Sequence, residues 1–99
     1  MKHMLFAVYD AKAEAYLPPF TMHQQAMAIR AFTDAINDPT HQFNKHPGDY
    51  TLFNIGAYDD NDAKIVAQKT PHSIGNGIEF VNLENNENQL DLIDGVKTA

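Results

Sequence analysis

"YTLFNIGAYDDNDAKIVAQK", Tyr50 to Lys69, holds two strand-like runs separated by a turn. Tyr50 to Tyr58 alternates with a period of two, as a strand with two distinct faces does. Thr51, Phe53, Ile55 and Ala57 fall on one face, and Tyr50, Leu52, Asn54, Gly56 and Tyr58 on the other. The first set reads as the core face. The second is aromatic and polar and reads as the face open to solvent. Asp59 to Ala63 supplies turn residues, and "KIVAQK" reads as the return strand of a hairpin. An antiparallel sheet is therefore the frame of the fold.

Upstream, "MLFAVY", Met4 to Tyr9, is apolar on both faces, which fits a central strand covered on each side. "DAKAEA" makes a turn and "AYLPPF" a short extended return, where Pro18 and Pro19 lack amide donors and must interrupt pairing. Between Thr21 and Pro39 the spacing predicts a helix. Thr21 and Gln24 fit a capping box. Met22, Ala26, Ile29, Thr33 and Ile36, with Phe32 beside them, follow one face, while Ala28, Ala31 and Ala35 form a second, smooth stripe. Pro39 stops the helix because the residue before a proline is pushed out of helical geometry. Thr40 to Asp49 is a loop, Thr70 to Gly77 a flexible joint, and Ile78, Phe80 or Val81 a further strand. The expected architecture is α+β, a mostly antiparallel sheet with one long helix packed on a face and an acidic C-terminal tail. Residues 1–77 form the single domain of that expectation, and residues 78–99 the extra strand and an acidic, mobile tail.

A chain of 99 residues suits one domain with one modest core. It contains no cysteine, which excludes disulfides, thiolate metal sites and a cysteine nucleophile. No apolar run approaches the roughly 18–20 residues that span a bilayer, and Met1 to Val8 is too short for a signal peptide. A soluble intracellular protein is expected. The net charge of −6 is uneven: six Lys/Arg face eight Asp/Glu through Gly77, and Lys97 alone faces five acids beyond it. That balance argues against strong electrostatic capture of nucleic acid, which needs several cations on phosphates.

Catalytic and metal-binding patterns are missing. Asp59-Asp60-Asn61-Asp62 lacks the spacing of an EF-hand, and the five histidines form neither a helical pair nor a zinc motif. Ser73 has no nucleophile elbow, and "IGNG" is too short for a phosphate loop. The expectation is a protein that is not an enzyme and takes no cofactor and no metal. Aromatic side chains remain. Tyr9, Tyr16, Phe20, Tyr50 and Tyr58 flank the strands, and Lys12, Arg30, Lys45, Lys64 and Lys69 could meet phosphates. Stacking of a base on a ring is worth roughly 1–3 kcal/mol, enough for a few platforms to offset a weak charge field. The candidate single-stranded DNA site is Lys12, Arg30, Lys45, Tyr50, Tyr58 and Lys64. Rings in strands serve equally as core or subunit interface, and that alternative stays open. The apolar surface one helix leaves uncovered predicts a homo-oligomer.

The strings "FAVYDAKAEAYLPPF", "AIRAFTDAINDP" and "KHPGDYTLFNIGAYDD", with "GIEFV" further on, resemble the small nonstructural protein of gokushoviruses. These are single-stranded DNA phages of the microvirus family, and the protein is their fifth open reading frame product. The resemblance runs from about Leu5 to Asp60. It implies DNA binding during viral replication, or at the switch to genome packaging, in the cytoplasm of the bacterial host. It supplies no active-site residues. The rival expectation is a protein–protein adaptor that recruits replication or procapsid proteins without touching DNA. Its acidic tail, bearing Leu90, Leu92, Ile93 and Val96, would dock on that partner.

Overall fold

The strand apolar on both faces organises everything else. In the computed structural model, which describes residues 1–82, β1 (Lys2–Asp10) has neighbours on both sides. β4 (Tyr50–Asp59) runs antiparallel along its whole length, from Lys2 opposite Asp59 to Asp10 opposite Tyr50. The other edge of β1 is shared by β2 (Ala15–Tyr16) and β3 (Phe20–Met22). Leu17 to Pro19 separate these two, since proline has no amide to add to the ladder. β5 (Lys64–Asn76) pairs with β4 and forms the far edge, giving the order β2-β1-β4-β5. Two helices, α1 (Gln25–Asn37) and α2 (Gln42–Lys45), and two 3-10 turns, Pro47–Asp49 and Gly77–Phe80, complete the described chain.

The expected α+β layout, with one long helix laid along a sheet face, is not what forms. Strands make up 45% of the structure, in a single sheet curled into half a barrel, with one helix of more than a turn. That helix, α1, has 13 residues, and its nearest backbone neighbours are β3, α2 and the Gly77–Phe80 turn. Its buried Ala28, Phe32 and Ile36 join Phe6, Val8, Phe43, Tyr50 and Leu52 in one core at that end of the sheet. Two segments account for the difference. Thr21 belongs to β3, opposite Leu5, so the ladder takes the residues expected to begin the helix. Thr70 to Asn76, expected as a joint, continues β5. The acidic tail from Glu84 onward lies outside the described residues.

Gly77–Phe80, the end of the expected joint and the start of the strand expected through Ile78, Phe80 or Val81, winds into a 3-10 turn with its own cap. Asn76 Oδ1 accepts from the Ile78 amide at 3.1 Å, and Glu79 Oε2 accepts from the Asn76 amide at 2.6 Å. Gly77 is needed there because a Cβ would run into the Pro47 carbonyl and lie 2.6 Å from Ile36 Cδ1. Asn37, near the end of α1, donates to the Phe80 carbonyl at 3.0 Å and accepts from the Asn82 amide at 2.6 Å. Phe80 and Val81 pack on the same core.

From Tyr50 to Asn54 the faces of β4 are the reverse of expectation; the register shift between Leu5 and Phe6, which leaves Ile55 unpaired on β1, exchanges them beyond it. Tyr50, Leu52, Asn54 and Gly56 are buried, while Thr51, Phe53, Ile55 and Ala57 are half-buried. Both faces carry enough apolar surface to be a core, and the core residues Ala28, Phe32 and Ile36 cluster with Leu52. Asn54, only 7% exposed, is the buried polar residue of that face among the described residues. Its Oδ1 accepts from the Gly56 amide at 3.1 Å and from Gln68 Nε2 at 3.2 Å. This clamp sits where the sheet is irregular: Asn54 faces His72 but Gly56 faces Ala67, so Ile55 spans the width of Gln68 to Pro71. Bulges of this kind bend a sheet and strengthen its twist.

Candidate nucleic-acid interface

The register that buries Phe6, Val8 and Leu52 turns their neighbours outward, because successive side chains alternate across a sheet. Ala7 lies opposite Phe53, and Tyr9 lies opposite Thr51 on one side and Tyr16 on the other. The ring of Tyr16 meets Tyr9 edge-on at 4.9 Å and Phe53 edge-on at 5.5 Å. Tyr16 keeps 47% of its surface in solvent. Beside this cluster, Ala7 and Ile55 form the floor of an apolar hollow of about 270 Å³, walled by Tyr16, Leu17, Pro19 and Pro71. The outer face therefore presents three touching rings and an apolar recess, on the side of the sheet away from α1.

Lys12 is the cation nearest in sequence to this cluster. It is exposed in the tight connection between β1 and β2, the strands that carry Tyr9 and Tyr16. Asp10 shapes that connection, its Oδ1 accepting from the amides of Lys12 and Ala13 at 3.0 and 3.2 Å. Lys69 is exposed in the irregular part of β5, two residues before Pro71.

The remaining candidates do not converge. Tyr50 is 8% exposed, with its ring 4.2 Å from Phe43 inside the core. Burial raises the pKa of its phenol, and Asp10 and Asp49 add to the effect. It cannot stack on a base without unfolding its surroundings, so its assignment to the interface is corrected. Tyr58 is half-buried at the opposite end of the sheet, 6.1 Å from His3. Lys64 opens β5 opposite Asp59. Lys12 and Lys64 thus lie at opposite ends of β1, roughly 25 Å apart at about 3.3 Å per strand residue. Arg30 is exposed on α1 and Lys45 ends α2, the helices whose Phe32 and Phe43 share the core with Leu52. Phe20 stacks on Phe6 at 5.7 Å.

At the hairpin tip the acids are engaged locally. Asp60 accepts from the N-terminal ammonium at 2.6 Å and pairs with His3 Nε2 at 2.8 Å. Those two hydrogen bonds hold the Asp60 carboxyl down at about 2. The ring of His3 in turn lies 4.4 Å from that of His23.

Phe53 is the ring that sequence reasoning placed inside and the structure places outside. Its direct neighbour, Leu52, has similar apolar character, so no period-two pattern separates them. The usable signal was the Tyr9–Tyr16 pair flanking a tight turn, since two rings at the mouth of a short hairpin must stand on the same side.

These features define a class: a small single-sheet β protein, half a barrel, whose outer face bears the exposed ring of Tyr16 between half-buried Tyr9 and Phe53. The chain belongs to the Phage ORF5 protein family, whose model matches residues 3–80. No curated protein and no solved structure matches it.

Proposed function

We propose that this phage protein is a nonstructural DNA-binding protein that holds single-stranded DNA on the outer face of its sheet. The observation that carries this reading is the ring cluster in which Tyr16, 47% exposed, meets the half-buried Tyr9 and Phe53 edge-on. Unpaired bases offer flat faces to such rings, and stacking is indifferent to sequence. A duplex keeps its bases stacked on one another, so the same surface discriminates against it. With the resemblance to gokushoviruses, microviruses with single-stranded genomes, the role is in genome replication or the switch to packaging, in the cytoplasm of the bacterial host.

Anisotropy titrations of labelled single- and double-stranded oligonucleotides test this. Tyr16→Ala removes one stack, roughly 1–3 kcal/mol, and so weakens single-strand binding about 5- to 150-fold. Tyr58→Ala leaves it unchanged. Equal affinity in Tyr16→Ala and the parent protein overturns the proposed face. Absence of any DNA binding by the parent overturns the function and favours the adaptor.

A further inference from the structure

We propose that β5 is the contact through which two copies of this chain join, edge to edge, across a two-fold axis at Val66. An edge strand exposes unpaired amides and carbonyls, and another strand is their natural complement. Lys64 to Ser73 are all exposed along this edge, including Ile65 at 62% and Val66 at 69%. The regular part is short. It begins after Ala63, whose φ of 61° closes the hairpin, and ends at the irregular stretch that starts with Gln68. From Lys64 to Gln68, where the irregularity begins, the residues Lys64-Ile65-Val66-Ala67-Gln68 read polar, apolar, apolar, apolar, polar in both directions.

That symmetry identifies the occupant. An isologous two-fold contact requires a surface complementary to itself, and a strand from an unrelated partner would impose no such pattern. A two-fold perpendicular to a sheet pairs residues of the same face, so the axis passes through a residue. Centred on Val66, Val66 meets its own copy, Ile65 meets Ala67, and Lys64 meets Gln68. Centred on Ala67, Lys69 would oppose Ile65; centred on Ile65, Lys64 would oppose Val66. Only the Val66 register keeps the apolar residues together, and it sets no like charges opposite one another. The surroundings agree: the hollow beside Val66 is rimmed by Lys2 and Lys64 together with Asp59 and Asp62, a balanced set that does not repel a second copy. This inference is independent of DNA binding.

The absence of cysteine makes the test clean. Val66→Cys is expected to form a disulfide-linked dimer on mild oxidation, and Lys69→Cys, away from the axis, to form far less. In sedimentation equilibrium the parent chain shows a mass rising toward two chains with concentration. Val66→Lys opposes two ammonium groups at the axis and weakens association about tenfold or more, with an unchanged circular dichroism spectrum because the site is exposed. A parent protein that sediments as one chain throughout overturns the proposal. So does a folded Val66→Lys variant that still associates fully.

Discussion

Tyr50 lies 4.2 Å from Phe43 with its ring shut away from solvent, whereas Tyr16 keeps nearly half its surface exposed beside Tyr9 and Phe53. The two rings are chemically identical, and burial alone separates a core role from a binding role. Tyr50→Ala is expected to cost about 3–5 kcal/mol, the range for deleting a large buried ring. Tyr16→Ala should cost well under half of that; denaturant unfolding distinguishes them. Asn54 is a second residue whose surroundings decide its meaning. Its replacement by leucine leaves the Gly56 amide and the Gln68 side chain without their acceptor, a loss of about 1–3 kcal/mol by the same measurement. At the hairpin tip, the Asp60 carboxyl sits at about 2, below its ordinary 3.8. A lowered folded pKa means that its contribution is complete above 3.8 and is lost as pH falls through about 2. Unfolding midpoints measured over that acid range should fall more steeply in the parent than in Asp60→Asn.

α1 ends where the sequence says, with Asp38 as C-cap before Pro39, because proline forbids continuation locally. Its start was not legible. Thr21 fits a cap, but β1 offered its backbone a ladder partner, and alternation in β3 sends Phe20 and Met22 to pack against the core. The helix is left with Gln24 as N-cap and no side-chain hydrogen bond there. Gln24→Asp supplies the missing acceptor and a favourable charge at the helix N-terminus. A gain of about 0.5–2 kcal/mol is expected from thermal or denaturant unfolding, and no gain would show that the first turn is satisfied some other way. β5 teaches the same lesson. Gly and Pro in "TPHSIGNG" suggested a joint, yet Asn54, Gln68 and the bulge absorb the irregularity and the strand resumes as far as Asn76.

For the molecule as a whole, the charge distribution limits how DNA can be held. Lys12, Arg30, Lys45 and Lys64 are spread over both sides and both ends of the sheet; among the described residues, Lys12 lies in the turn between the strands of Tyr9 and Tyr16, and Lys69 lies two residues before Pro71 of the neighbouring hollow. Counterion release per phosphate contact then predicts a shallow salt dependence, with a log–log slope no steeper than about −2 per chain. A steep slope in the anisotropy series would point to a cationic surface other than this face. Pairing through β5 would extend one sheet across two copies and carry two ring clusters on a single particle. Linked sites raise the effective concentration of the second contact, so Val66→Lys should weaken binding of long strands more than of short ones.

The order of strands and turns along the chain was settled by local chemistry: prolines that interrupt pairing, a turn rich in Asp and Asn, and apolar runs of strand length. Which face of β4 became the core was not local. Leu52 and Phe53 are comparably apolar, and Tyr50 and Leu52 are buried because they share one core with Phe32, Ile36 and Phe43 from distant segments, while Tyr16 stays exposed beside Phe53. A two-faced apolar strand carries no record of its cover, because that choice depends on segments far away in sequence that meet it only in three dimensions.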